Sequence, residues 1–272
     1  LPTTKANLKE IVIMQLRTQQ IYIALLTILR KEVVRFMRIW SQTLLPPVIT
    51  MALYFLIFGK LVGSQIQNIS GFTYMQYIVP GLVMMSIMTN AYANTSTSFF
   101  GAKFSKSIEE ILVAPVPNYV ILLGFVFGGM LRGLIVGLLV MLISLFFTHL
   151  HIHNIWIVLS MALLASMLFS LGGLINGIFA KKFDDVSFIP TFILMPLTYL
   201  GGVFYSVQQL PPFWRMISTF NPILNVVDSF RFGILGISDL NVYFSFLMVG
   251  GLFIILLLWC LIMLHRGTGM RT

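Results

Sequence analysis

Six long apolar runs mark the chain, at residues 44–61, 74–98, 119–147, 155–180, 186–205 and 242–264. Each is close to or above the ~20 residues that a helix needs to cross ~30 Å of hydrocarbon. None alternates strictly with period two, so the runs predict helices and not barrel strands. Polar positions collect in the segments between them.

Three of those segments carry their own pattern. Residues 21–29 are apolar but too short to cross, and they run into RKEVVRFMRIW. There Arg30 or Lys31, Arg35 and Arg38 recur at helical spacing, with Val33, Phe36, Met37 and Trp40 mostly between them. This predicts a basic amphipathic helix over 18–40 on the cytoplasmic surface, with Trp40 at headgroup level. Between the second and third runs, Ser107 and Glu110 form a capping-box pattern, and Pro115 and Pro117 stop the helix. The short helix predicted over 103–114 sets Ile108, Ile111 and Leu112 on one face, which docks on a partner or packs on this chain's own cytoplasmic ends. Residues 208–240 predict two short helices. The first starts at Leu210-Pro211-Pro212 and ends near Phe220; the second has Asn221 as N-cap and Pro222 in its first turn. Ile223, Val226 or Val227, Phe230 and Ile234 make its apolar stripe, while Asp228 and Arg231, three apart, pair on the other face. Such a pair dips into the outer leaflet and returns.

Composition narrows the class. Of 272 residues, 58% are hydrophobic and 9% charged, against roughly 45–50% and about 25% in soluble domains. A soluble surface and a disordered chain are both excluded. The expected fold is an all-α polytopic membrane protein, a single domain over 1–272. It has six transmembrane helices, the amphipathic interfacial helix, the short cytoplasmic helix, and the re-entrant outer hairpin between spans five and six. Residues 1–20 hold scattered charges and no continuous apolar core, which argues against a cleavable signal.

The net charge of +9 is explained by where the bases fall. With the N-terminus inside, Lys5, Lys9, Arg17, Arg30, Lys31, Arg35, Arg38, Lys103, Lys106, Lys181, Lys182, Arg266 and Arg271 are cytoplasmic. Only Lys60, Arg215 and Arg231 lie outside. This bias puts both termini in the cytoplasm and removes the case for a nucleic-acid partner.

Catalytic patterns are absent. The chain has no phosphate loop, no HExxH and no nucleophile elbow. All eight acids fall outside the spans, so no proton relay is coded. The lone Cys260 forms no intramolecular disulfide. No metal site is expected. His149, His151 and His153 alternate in the loop after span three, as a polar interfacial loop or a weak metal-binding face. A lipid-modifying enzyme built on them, or a passive channel, is the alternative to a transporter.

Polar side chains inside spans need protein or water beside them. On span two, Ser86, Asn90, Asn94 and Thr97 share one face, near Tyr77, Met84, Met88 and Tyr92; span five carries Ser187, Thr191, Thr198, Gly202 and Tyr205. They serve interhelical hydrogen bonds, or line a substrate path suited to an amphipathic molecule. Arg132 is the one charge inside a span. It snorkels to the inner interface, or pairs with an anionic head group at the mouth of the path.

The order of these parts resembles the membrane subunits of ABC-2 type transporters. The most specific match is Leu200-Gly201-Gly202-Val203-Phe204-Tyr205, then Leu210-Pro211, Asn221-Pro222 and Arg231. Residues 109–117, EEILVAPVP, are similar to that family's coupling helix. The resemblance implies a homodimer, two copies of a separate cytoplasmic ABC ATPase subunit, and Mg-ATP bound there and not in this chain. It implies export of an amphipathic substrate, such as a lipid, lipid-linked glycan or drug-like molecule, across a bacterial inner membrane amid membrane lipids. Residues 107–112 would meet the ATPase.

Overall fold

The computed structural model describes the backbone of residues 3–269 apart from 67, 114 and 115, and side chains from Gln19 onward apart from 60 and 112. The side chains of Lys5, Lys9, Arg17, Lys60 and Leu112, together with Pro115 and Arg271, lie outside the described residues. No β-strand occurs among the described residues.

The first helix, α1 (Thr3–Arg38), is followed by α2 (Trp40–Thr43) and α3 (Leu45–Tyr54), which runs on into a π-helical segment, Phe55–Val62. The break has a cause in sequence. The chain turns at Ile39 and again at Leu44; at the second turn Pro46 and Pro47 cannot donate to the carbonyls of Gln42 and Thr43 four residues back. Next come α4 (Tyr74–Phe104), α5 (Ser107–Val113), α6 (Asn118–Ser144) and α7 (Ile155–Phe179). The fifth apolar run folds in three pieces: α8 (Phe183–Ile189), a π-helical turn (Pro190–Leu194) and α9 (Met195–Tyr199). Pro190 and Pro196 interrupt its ladder. Then follow α10 (Pro212–Thr219), α11 (Pro222–Leu235) and α12 (Val242–Arg266).

Four helical stretches among the described residues are long and apolar enough to cross a membrane: Trp40–Gly59, Asn118–Ser144, Ile155–Phe179 and Val242–Arg266. The runs at 74–98 and 186–205 fall outside this set. The first belongs to the more polar α4, the second to the broken α8–α9.

α4 is the centre of the molecule. It packs on α6, α7 and α11, while α1 lies along α6, and α12 along α7 and α11. Close approach is made by glycine. A methyl at Gly133 of α6 would stand 2.7 Å from the Ile87 carbonyl oxygen, and one at Gly173 of α7 would collide with the Tyr92 carbonyl oxygen. One apolar core joins α4, α7, α11 and the first span around Tyr77, Leu82, Met84 and Val226. A second gathers Ile28, Phe99, Ile108, Phe125, Leu174 and Met263 around the other end of α4.

Candidate functional site

A cavity of about 220 Å³ opens between the middle of α4 and the broken fifth helix. Met85, Thr89, Tyr92 and Ala93 line it from α4; Thr191, Leu194, Thr198 and Tyr199 line it from the opposite side, with Tyr54 and Phe204 at one end. The wall is largely apolar and aromatic, with threonine hydroxyls set into it. Thr89 Oγ1 donates to Met85 O and Thr198 Oγ1 to Leu194 O, so both hydroxyls are satisfied on their own helices. The π-helical turn at Pro190–Leu194 forms part of the opposite wall, where Pro190 withholds a donor from the ladder.

Of the residues placed on the path from sequence, Thr191 and Thr198 line this cleft and Tyr92 closes it. Ser187 is exposed on α8. Tyr205 Oη donates to Tyr199 O beyond the cleft. Ser86, Asn90 and Asn94 share a face as expected, but that face is turned away from the cleft. Asn90 Oδ1 accepts from Arg132 Nη2 at 3.5 Å, and Asn94 Oδ1 from Arg35 Nη2 at 2.8 Å. Ser86 is buried and bonds its own helix at Leu82 O, and Thr97 is exposed and bonds Ala93 O. Tyr77, Met84 and Met88 lie in the core. Sequence reasoning missed Thr89. The signal was there: Met85, Thr89, Tyr92 and Ala93 recur at helical spacing about a quarter-turn round from the stripe chosen.

Arg132 also donates to Thr43 O at 3.1 Å. Pro47 stands where the helical partner of that carbonyl would be, so Arg132 supplies the missing donor. Its guanidinium is thus tied down inside the chain.

α1 is anchored by charge as well as by apolar contact. Glu32 is fully buried; its Oε1 accepts from Ser98 Oγ at 2.6 Å and its Oε2 from Arg35 Nη2 at 3.0 Å. Ile28 and Glu32 pack where Gly124 and Gly128 leave room on α6. The sequence pattern set Arg35 on the polar side and Phe36 on the lipid side. The structure instead turns Phe36 into the core and Arg35 towards Asn94, leaving Arg30, Lys31, Met37, Arg38 and Trp40 exposed.

On α5, Ile108 is buried in the chain's own second core and Ile111 packs partly against it. The apolar face expected to dock is therefore occupied at these positions. Glu109, Glu110 and Val113 are the exposed ones. Ser107 does not act as an N-cap: it is the first residue of α5, and its hydroxyl bonds Ala102 O. Lys103, one turn before, donates to Ile178 O and Ala180 O and caps α7. Backbone N–H groups of Lys181 and Lys182 bond Asp185 and hold its carboxyl below the usual range.

The stretch from Gly201 to Arg231 forms a buried lock. Arg231 donates from Nη2 to Gly202 O at 2.6 Å and from Nε to Tyr77 O at 3.3 Å, and its guanidinium carbon lies 4.0 Å from the Tyr77 ring centre. Asp228 stands 3.8 Å from it and also binds the backbone N–H groups of Asp239 and Leu240. Gly202, at φ +61°, makes the turn that presents the carbonyl. Asn221 caps α11 through Ile223 N and donates to Leu197 O near the end of α9. Pro222 occupies the first turn of α11, and Pro211 precedes α10. His149, His151 and His153 are exposed, with His153 against Phe232. No group of three or more His, Cys, Asp or Glu side chains comes together among the described residues.

Comparison with known proteins gives these features a family. Residues 23–235 match the model of the family described as ABC-2 type transporter. The chain is 56% identical over 252 residues to the inner membrane transport permease YadH of Escherichia coli (strain K12), covering 92% of this chain and 98% of that protein. It is 23% identical over 189 residues to nodulation protein J of Rhizobium leguminosarum bv. viciae, covering 68% of this chain and 71% of that one.

Proposed function

The chain belongs to the ABC-2 type transporter family, and we propose that it is the permease of an ATP-driven exporter in a bacterial inner membrane. The cleft between α4 and α8–α9 carries this reading. Its aromatic, methionine and threonine wall holds no charge, which suits an amphipathic substrate better than an ion.

On this reading six helices cross: the first span, α4, α6, α7, the α8–α9 segment and α12. α4 reaches roughly 46 Å at the helical rise over its 31 residues, ample for a bilayer. Its serine and threonine hydroxyls bond carbonyls of the helix itself at Ser86, Thr89, Thr95 and Thr97, and Asn94 Oδ1 is met by Arg35. Both termini are cytoplasmic, and α10 and α11 re-enter the outer leaflet. Two copies of the chain face each other across the cleft, whose Thr191 and Tyr199 are exposed in a single copy. Each copy binds one ABC ATPase subunit, which holds Mg-ATP. α5 is the coupling helix, and its exposed Glu109, Glu110 and Val113 are the contact. Ile108 roots that helix in the core of α4, α6 and α7, so a push on α5 is passed to the spans.

Co-purification tests this. Val113→Asp together with Glu110→Lys should abolish retention of a phosphate-loop ATPase on the tagged permease, while the variant inserts and melts like the wild type. Retention unchanged in that variant would sink α5 as the contact.

A further inference from the structure

Three turns before the cleft along α4 lies a second cavity, of about 320 Å³, lined by Ser70, Tyr77, Gln208, Asp228, Arg231 and Asp239. Arg231 and Asp228 are each 1% exposed and Tyr77 2%. Arg231 uses Nε and Nη2 on carbonyls; Nη1 has no hydrogen-bond partner among the described residues. The Tyr77 hydroxyl has none either. It lies near Ser206, but that hydroxyl donates to Asp239 Oδ2 at 2.7 Å and its oxygen already accepts from Gln208 N at 3.3 Å. Buried polar groups are rarely left unpaired, so acceptor oxygens belong in this cavity.

The acid side is just as specific. Both oxygens of Asp228 are engaged, by Asp239 N, Leu240 N and Ser238 Oγ, and its charge is met by Arg231. Asp239 is different. Its Oδ2 accepts from Ser206 Oγ and Val207 N, but no cationic side chain among the described residues lies at ion-pair distance from it. One cation and two carboxylates leave the wall with a surplus negative charge, which disfavours a simple anion. The wall offers donors on one side and an unbalanced carboxylate on the other.

We propose that this cavity holds the zwitterionic headgroup of a phospholipid that carries a primary ammonium. Its phosphate oxygens accept from Arg231 Nη1 and the Tyr77 hydroxyl, and its ammonium donates to Asp239. A lipid fits better than a free solute because α10, close to Gln208 in the chain, exposes Phe213, Trp214, Met216 and Ile217, with Phe220 exposed just beyond its end. Such a helix lies in the headgroup zone. The exporter reading enters only in assigning the site to the outer leaflet.

The test uses the full chain in nanodiscs of equal phosphatidylethanolamine, phosphatidylcholine and phosphatidylglycerol, with retained lipids counted by native mass spectrometry. Wild type should favour phosphatidylethanolamine over phosphatidylcholine by about tenfold, the size of one charge-assisted hydrogen bond. Tyr77→Phe keeps the ring under Arg231, and Asp239→Asn keeps an acceptor for Ser206 and Val207. Asp239→Asn should bring the ratio close to that of the bulk lipid, and Tyr77→Phe should lower retention of all three lipids while keeping the ratio, each at an unchanged melting temperature. Equal retention of all three lipids, preference for phosphatidylglycerol, a preference that Asp239→Asn keeps, or total retention that Tyr77→Phe leaves unchanged would overturn the site. Binding of soluble O-phosphoethanolamine without any lipid preference would overturn the lipid source. No ATPase is present, so a negative result here leaves the exporter reading standing, and failed ATPase coupling leaves this site standing.

Discussion

Arg132 shows how little a residue's own neighbourhood in sequence says about its task. Inside an apolar run it read as an anchor or a head-group ligand. Its partner is the Thr43 carbonyl that Pro47 leaves without a helical donor, and that pairing spans 89 residues. The same holds for Asn94 and Arg35, which are 59 residues apart. The polar stripe was legible from its spacing. What it faced was not, because helix periodicity fixes faces and not neighbours. Replacing Arg132 by Met should leave Thr43 O unpaired and cost about 1–3 kcal/mol, with Arg132→Lys losing less. Unfolding in mixed detergent micelles measures this; a Met variant as stable as wild type would remove Arg132 from the account of the break.

At the scale of elements, α4 sets the packing and glycine sets the distance. The runs that became α6, α7 and α12 were legible because each is long, strongly apolar and free of proline. The end of α4 was not: the helix runs past Ser98 to Phe104, and Lys106 at φ +59° starts a separate α5. That turn depends on Lys103 reaching the carbonyls at the end of α7, a contact across more than 70 residues. α1 was legible as basic and amphipathic, yet its third face, Ile28 with Glu32 and Phe36, was hidden by the charge of Glu32. Gly173→Ala should destabilise the chain by about 1–3 kcal/mol, since its methyl meets the backbone of α4. Gly172→Ala is the control: its methyl meets only the Tyr92 ring at 3.5 Å and should be nearly neutral. Equal melting of the two variants would contradict the close crossing.

For the whole molecule, the cleft, the lock and α5 are joined through α4. The cleft opens on its middle, the Arg231 lock holds its start through Tyr77, and α5 follows its end. Force applied at α5 therefore has a continuous packed path to the cleft, and a transporter driven from outside the chain needs such a path. The family was legible from the Gly201–Arg231 stretch because that stretch is the lock, where the positive φ of Gly202, the cap and cross-link of Asn221 and the paired carbonyl bonds of Arg231 each demand that residue type. The cleft was only half legible. Thr191 and Thr198 stood out as polar atoms in an apolar run, whereas Thr89 was overshadowed by the more polar stripe beside it. The most direct test places a cysteine at Thr89 in a chain with Cys260→Ala and follows its maleimide labelling rate in nanodiscs with the partner ATPase. Vanadate-trapped nucleotide should change that rate at least about fivefold, the lower end of coupling between distant sites, and only when the ATPase is bound. A labelling rate indifferent to the ATPase and its nucleotide would contradict a cleft that is driven through α5.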